Sequence, residues 1–391
     1  MTSKSYKILY HHRTLALDGQ NVHITEMLKA FRAAGHEVHV VCPAPQDKGG
    51  QEKASLFNKI RGLVPAFIYE LAEIAYSYRA YKKLLKAHEE FQPDFIYERY
   101  NCFTLSGKWL REKTKTPLIM EVNAPLADER RRHGTLALYG TAKKLEAEIW
   151  QSADKIITVS DVLSGLVAET GVSKDKIVSM HNGIDPDKFD NIDTDTGQMV
   201  QWYNLFGKTI LGFTGYIRDW HKLDDVIRLI ATEKENHNLH LMAVGDGPAV
   251  ADCLILAKDL GIEDRVTFTG VVAREKVADY VNCFDIALQP AVTEYASPLK
   301  IFEYLALSKP IIAPRQANIE EILTHGVDSI LFDTRDHAGL HDAIMHYVED
   351  PKSRQKAAKA ARQTLEDRSF YWSTNAKRTI ELASPLVRRS D

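Results

Sequence analysis

The sequence predicts an α/β protein of two doubly wound, Rossmann-like domains, each a parallel sheet wrapped by helices. Three observations carry that expectation. The chain has 391 residues, beyond the size at which one hydrophobic core stops growing. Strand-like and helix-like runs alternate along it, the pattern of βαβ units and a parallel sheet. The series breaks at residues 191–197 (NIDTDTG), an apolar-poor, turn-forming stretch that reads as a linker.

The elements follow in order. Residues 7–10 (KILY) form a first strand and 17–21 (LDGQN) a turn-rich loop. Ile24, Met27, Leu28 and Phe31 then recur at helical spacing. Gly35 and His36 close that helix, and 37–41 (EVHVV) is the next strand. Residues 94–97, 117–122 and 155–159 are strand-like. Ser160 and Asp161 open a helix that ends at Gly171, and 176–180 is a strand running into 181–185 (HNGID). A second series starts at 209–215 (TILGFTG) and continues through a helix at 223–231, a strand at 239–244 and the turn 245–248 (GDGP). Further strands fall at 266–268, 286–288 and 310–313. The domains are placed at 1–190 and 191–371, with 372–391 a terminal helix for which Ser373 is available as a cap. Ligands of doubly wound sheets sit beyond the carboxyl ends of the strands, so a central cleft faced by both domains is the expected site.

Composition narrows the class. With 45% hydrophobic and 26% charged residues the chain reads as an ordinary globular protein. A net charge of −3 argues against a nucleic-acid binder that works through phosphate contacts. Cys42, Cys102, Cys253 and Cys283 are scattered, with no CxxC or paired His cluster, and read as reduced, buried thiols rather than a zinc site or disulfide framework. The N-terminus lacks a signal-peptide core and no run approaches the ~20 apolar residues of a membrane span. A cytoplasmic protein is expected. Residues 56–68 (LFNKIRGLVPAFI) mix apolar and cationic side chains; they could touch the inner face of a membrane or pack under the first sheet. Arg130, Arg131 and Arg132 could grip an acceptor phosphate or simply be solvated.

The most informative stretch is 294–306 (EYASPLKIFEYLA). Ser297 and Pro298 set a helix start, with Pro where its missing N–H does no harm. The N–H groups beyond it, at Leu299 and Lys300, make an anion site suited to a diphosphate. Glu303, about two turns in, could accept hydrogen bonds from vicinal hydroxyls such as those of a ribose. A capped surface helix would use the same residues. Gly245 and Gly247 permit positive φ and a close backbone approach to a ligand, or equally a tight strand-to-helix turn.

Taken together, these segments resemble the family 4 glycosyltransferases of the GT-B fold, particularly those that build exopolysaccharides and other cell-surface glycans. The resemblance rests on residues 18–20 through 35–38, on 121–126 (EVNAPL), on 181–185, on 215–222, on 245–248, and on 297–300 with Glu303. It implies a retaining transfer from a nucleoside-diphosphate sugar, UDP- or GDP-linked, to a glycan, lipid-linked or small-molecule acceptor. No carboxylate or His constellation in the sequence suggests a catalytic metal, so neither a metal nor another cofactor is expected. Glu303 would be the second acid of the family's E-x7-E motif, binding the donor's ribose. Strict spacing puts Tyr295 at the first acid and Glu294 one residue earlier; a loop shift could bring Glu294 to the sugar, or it is a plain loop carboxylate.

Residues 213–222 stand where relatives carry an Arg and a Lys on the pyrophosphate. The leaving diphosphate gains charge, so Arg218 would clamp it, with Lys222 or His221 adding a point charge beside Gly215. Gly19 takes the place of the family's glycine-rich loop. Asn123 takes the place of a sugar-contacting His and would orient the sugar, since an amide is no general base. The final helix would cross back onto the first domain, with Trp372 at the crossing. A sugar-nucleotide epimerase of the same fold, or a non-catalytic partner subunit, are the other classes compatible with these residues.

Overall fold

The structure is a computed structural model that describes residues 4–14, 19–43, 65–190 and 196–387. The chain divides into two compact units, Met1–His181 with Trp372–Asp391, and Asn182–Tyr371.

The first unit contains a parallel six-stranded sheet of β1 (Lys7–His11), β2 (Glu37–Val41), β3 (Phe95–Arg99), β4 (Leu118–Val122), β5 (Lys155–Thr158) and β6 (Ile177–Ser179), in the order β2-β1-β3-β4-β5-β6. The central strands FIYER and LIMEV are buried at every position, as a parallel sheet covered on both faces requires. The edge strands β2 and β6 are partly exposed. The Gly19–Ala33 helix buries Ile24, Met27 and Phe31 and ends at Gly35, whose φ of +85° turns the chain into β2. The terminal Trp372–Ala383 helix packs on it.

The second unit repeats the plan with β7 (Thr209–Thr214), β8 (Leu239–Val244), β9 (Val266–Phe268), β10 (Ile286–Leu288), β11 (Ile311–Pro314) and β12 (Ser329–Phe332), ordered β12-β11-β10-β7-β8-β9 and parallel throughout. Alternation along β8 feeds two cores: Leu239, Leu241 and Ala243 on one face, Met242 and Val244 on the other.

Several expectations need correction. The boundary lies at His181/Asn182 rather than 190/191, because 182–185 is bonded into the second unit: Asn182 N donates to Ser297 Oγ at 3.1 Å and Ile184 N to Phe370 O at 2.9 Å. Residues 191–195 of the expected linker lie outside the described residues, and its last two, Thr196 and Gly197, open the Thr196–Trp202 helix. Gly19 begins a helix instead of sitting within a loop, and Ser373 lies inside the terminal helix, one residue past its start, so it is no cap. The 26-residue Ala66–Phe91 helix and strand β12 were not foreseen. Residues 56–64 and Asp18 lie outside the described residues. Among the described residues, no helix is long and apolar enough to cross a membrane.

Candidate functional site

In the second unit β7 and β8 end side by side, and each turns out at a glycine, Gly215 (φ +120°) and Gly245 (φ +140°). The two loops are laced together: Gly215 N donates to Val244 O and Ile217 N to Asp246 O, both at 2.9 Å. A Cβ on Gly245 would sit 2.0 Å from Gly215 O, and one on Gly247 2.0 Å from Ile217 O. Both glycines permit a close approach of the neighbouring loop, as a tight strand-to-helix turn requires. Gly215 is different: a Cβ there would meet only the end of the Lys300 side chain, at 3.5 Å.

Lys300 comes from the Leu299–Ala306 helix, whose start is fixed from outside. Asn182 holds the preceding turn through its N–H to Ser297 Oγ and its Nδ2 to Ser297 O at 2.6 Å. Ser297 is thus an acceptor for Asn182 and does not cap the helix; Pro298 occupies the N-cap position, and no side chain caps it. Tyr304 ties the helix to the sheet, its hydroxyl accepting from Thr214 N at 3.0 Å. Lys300 Nζ lies 3.8 Å over the centroid of the Phe213 ring. Burial lowers its pKa to about 7, against a smaller raising effect of Glu303. Among the described residues no carboxylate forms an ion pair with it.

His221 lies beside Phe213, with ring centroids 5.1 Å apart. Its Nδ1 accepts from Arg218 N at 3.1 Å. Burial, then Lys300 and Arg218, lowers its pKa to about 3. Burial thus favours the neutral imidazole in the free protein, with Nε2–H left as a donor. Arg218 is held between the rings of Tyr216 and Trp220, 4.9 and 4.7 Å from their centroids. Lys222, exposed and left-handed (φ 59°), lines a cavity of about 330 Å³ with Arg218, Asp219, Asp224 and Asp252.

Glu303 sits one turn into the helix, closer to its start than expected, with its side chain 4% exposed. Arg274 Nη1 lies 2.5 Å from its Oε1. Glu294 is exposed on the loop after β10, whereas Tyr295 is buried. Fully buried Asn318 pins that loop, donating from Nδ2 to Thr293 O (3.0 Å) and Ala296 O (2.7 Å).

The first unit gathers charge at the carboxyl ends of its central strands. His11 Nδ1 is 2.5 Å from Glu98 Oε2, both side chains buried. Glu121 is saturated: Oε1 accepts from Arg99 and Asn123, and Oε2 from Tyr97 at 2.7 Å and His23 at 3.0 Å. Burial alone would raise its pKa, but His23 and Arg99 outweigh that and hold the carboxyl below its usual range. Because a carboxylate only accepts, Asn123 must turn its NH2 inward, leaving its carbonyl as the free end of the amide. Gly19 is exposed at the first position of its helix.

Comparison with known proteins decides the family. The description Glycosyltransferase Family 4 matches residues 17–188, and Glycosyl transferases group 1 matches 203–364. The chain belongs to the family 4 glycosyltransferases of the GT-B fold. It is 24% identical over 368 residues to the N-acetyl-alpha-D-glucosaminyl L-malate synthase of Bacillus anthracis, covering 90% of each chain. Identity to the alpha-monoglucosyldiacylglycerol synthase of Streptococcus pneumoniae is also 24%, over 306 residues, 76% of this chain and 68% of that protein. The crystal structure of Anabaena HepE in complex with UDP superposes with a TM-score of 0.75 at 18% identity, covering 97% of this chain and 100% of HepE.

This glycosyltransferase thus assembles Gly215, Arg218, His221, Lys300 and Glu303 within one unit, while Lys222 lines a cavity with Arg218 and three aspartates. Sequence reasoning missed Arg274, Asn318, His23, Arg99 and Glu98. For Glu98 and Arg99 a signal existed: charges that end an otherwise apolar central strand. Arg274 and His23 lie on a turn and a helix with no local pattern to mark them.

Proposed function

We propose that this glycosyltransferase moves a sugar from a UDP- or GDP-sugar to a glycan, lipid-linked or small-molecule acceptor, with retention of configuration and without a metal ion. The observation that carries the donor reading is Lys300, without a carboxylate ion pair among the described residues, beside Gly215 at a helix start and one turn from buried Glu303. A diphosphate would supply the anion Lys300 lacks, and the ribose hydroxyls would reach Glu303.

In this reading the leaving diphosphate departs on the face from which the acceptor attacks and takes the acceptor's proton. Lys300, Arg218 and the N–H groups of Leu299 and Lys300 stabilise the charge that develops, the work a metal does elsewhere. Lys222 contributes at longer range. Glu294, at the mouth of the loop pinned by Asn318, would meet the transferred sugar, and Asn123 would offer its carbonyl to a sugar hydroxyl. Retention is the family's expectation; the anomer of the product, read by NMR, tests it.

Peripheral membrane contact is part of the proposal. The Ala66–Phe91 helix exposes Phe67, Ile68, Leu71 and Tyr78, followed by exposed Arg79, Lys82 and Lys86, a face suited to an anionic bilayer. The lipid product named for the Streptococcus pneumoniae relative supports an acceptor reached from such a surface.

A thermal-shift screen against UDP-, GDP- and ADP-sugars in EDTA tests the donor reading, since ligand binding raises apparent stability. A shift with one nucleotide family, followed by EDTA-resistant transfer, is expected. No shift with any of them overturns it, and transfer that is lost in EDTA and restored by Mn²⁺ overturns the metal-free mechanism. Sugar-nucleotide interconversion without acceptor would instead mark an epimerase.

A further inference from the structure

The Arg274–Glu303 pair joins two parts of the second unit that are far apart in sequence. Arg274 lies on the turn Arg274–Lys276 that follows edge strand β9, and Glu303 on the helix that follows β10. The pair is lopsided: the carboxylate is 4% exposed and the guanidinium side chain 42%. Arg274 therefore reaches in from solvent to hold one oxygen, Oε1, of a carboxylate that is otherwise enclosed.

We propose that Arg274 is a positioning residue for ribose recognition, fixing Glu303 through Oε1 so that the carboxylate is aligned for the two vicinal hydroxyls. The proposal rests on the donor reading of Glu303 given above. A buried carboxylate is costly unless paired, and a diol needs two acceptor sites held at a set angle. Among the described residues Arg274 makes the one ion pair to Glu303. Lys300 does not substitute, because its ammonium sits over Phe213. A guanidinium on one oxygen leaves lone pairs on both oxygens for hydroxyl donors, so the ribose joins the pair instead of displacing it.

Calorimetric titration of the full-length protein with UDP and 2′-deoxy-UDP, and with GDP and 2′-deoxy-GDP, tests this on wild type, Arg274→Ala and Arg274→Lys. Wild type should prefer the ribonucleotide by roughly tenfold, the value of a hydrogen bond to a charged group. Arg274→Ala should lose about that factor for the ribonucleotide and little for the deoxynucleotide, so that the preference collapses towards one. Arg274→Lys should restore part of it. An equal loss for both nucleotides would mean a merely structural pair and overturns the proposal. Tighter binding by Arg274→Ala would mean that Arg274 obstructs the site, and overturns it too. Wild-type binding without ribose preference removes Glu303 from the ribose and the proposal with it. If neither base binds to wild type, the donor reading itself falls.

Discussion

The ring of Trp372 meets that of His23 edge to face, centroids 4.8 Å apart, where the terminal helix lies on the first helix. His23 in turn contacts Glu121 at 3.0 Å, and Glu121 holds Asn123. An aromatic from the end of the chain thereby backs the polar network at the carboxyl ends of the first sheet's strands.

Trp372 is 4% exposed. Replacing it with alanine should cost about 3–5 kcal/mol, as for other buried aromatics. Chemical denaturation should show the loss, with the first unit melting before the second. A change below about 1 kcal/mol would mean that the terminal helix is held by its other contacts, Asn375 to His181 O and Ser384 to Tyr6.

Lys300 should make nucleotide binding depend on pH. With a pKa of about 7 in the free protein it is mostly neutral at pH 8. An arriving diphosphate favours the ammonium, so binding takes up a proton above that pKa and none well below it. Calorimetry with UDP in buffers of different ionisation enthalpy should show about one proton taken up at pH 8 and close to none by about pH 6. Lys300→Arg, always charged, should bind without uptake and corrects for protons of the nucleotide itself. Absence of uptake by wild type at pH 8 would mean that Lys300 is already charged.

Arg218 and Lys222 should separate. Arg218→Ala should lower kcat by roughly ten- to a hundredfold with a smaller change in donor affinity, if the guanidinium acts on transition-state charge. Lys222→Ala, which removes a cation from among three aspartates, should change kcat by less than about threefold. Equal effects of the two variants would argue for the pairwise clamp expected from sequence.

Gly245 and Gly261 both have positive φ, but only Gly245 is crowded, and nothing lies within 4 Å of a Cβ on Gly261. Gly261→Ala should cost about 1 kcal/mol of backbone strain. Gly245→Ala must also move the backbone of Gly215 and should cost about 2–4 kcal/mol. Urea titration of the two variants checks the difference; equal costs would mean that the two loops are free to separate.

Periodicity in the sequence was enough to show two parallel α/β sheets, because strands buried on both faces must be apolar throughout and helices covering them must repeat every three to four residues. Strand β12 and the Ala66–Phe91 helix escaped that reading: SILF was passed over although it is longer than the runs VTF and IAL that were found, and the helix exposes apolar side chains such as Phe67 and Leu71 on its outer face. The helix start at 297–300 and the acid at Glu303 were legible, since Pro and the following run mark them locally. Their partners were not. That Asn182 grips Ser297, that Gly245 abuts Gly215 and that Arg274 reaches Glu303 are contacts between residues 29 to 115 positions apart. No local pattern records such a contact. His221 shows the same division: its place beside Arg218 is plain from sequence, but burial against Phe213 and the cations folded around it lower its pKa, which no local pattern records. Local spacing determined which residues could bind an anion; the tertiary structure decided which of them carry charge and which are spent holding the others in place.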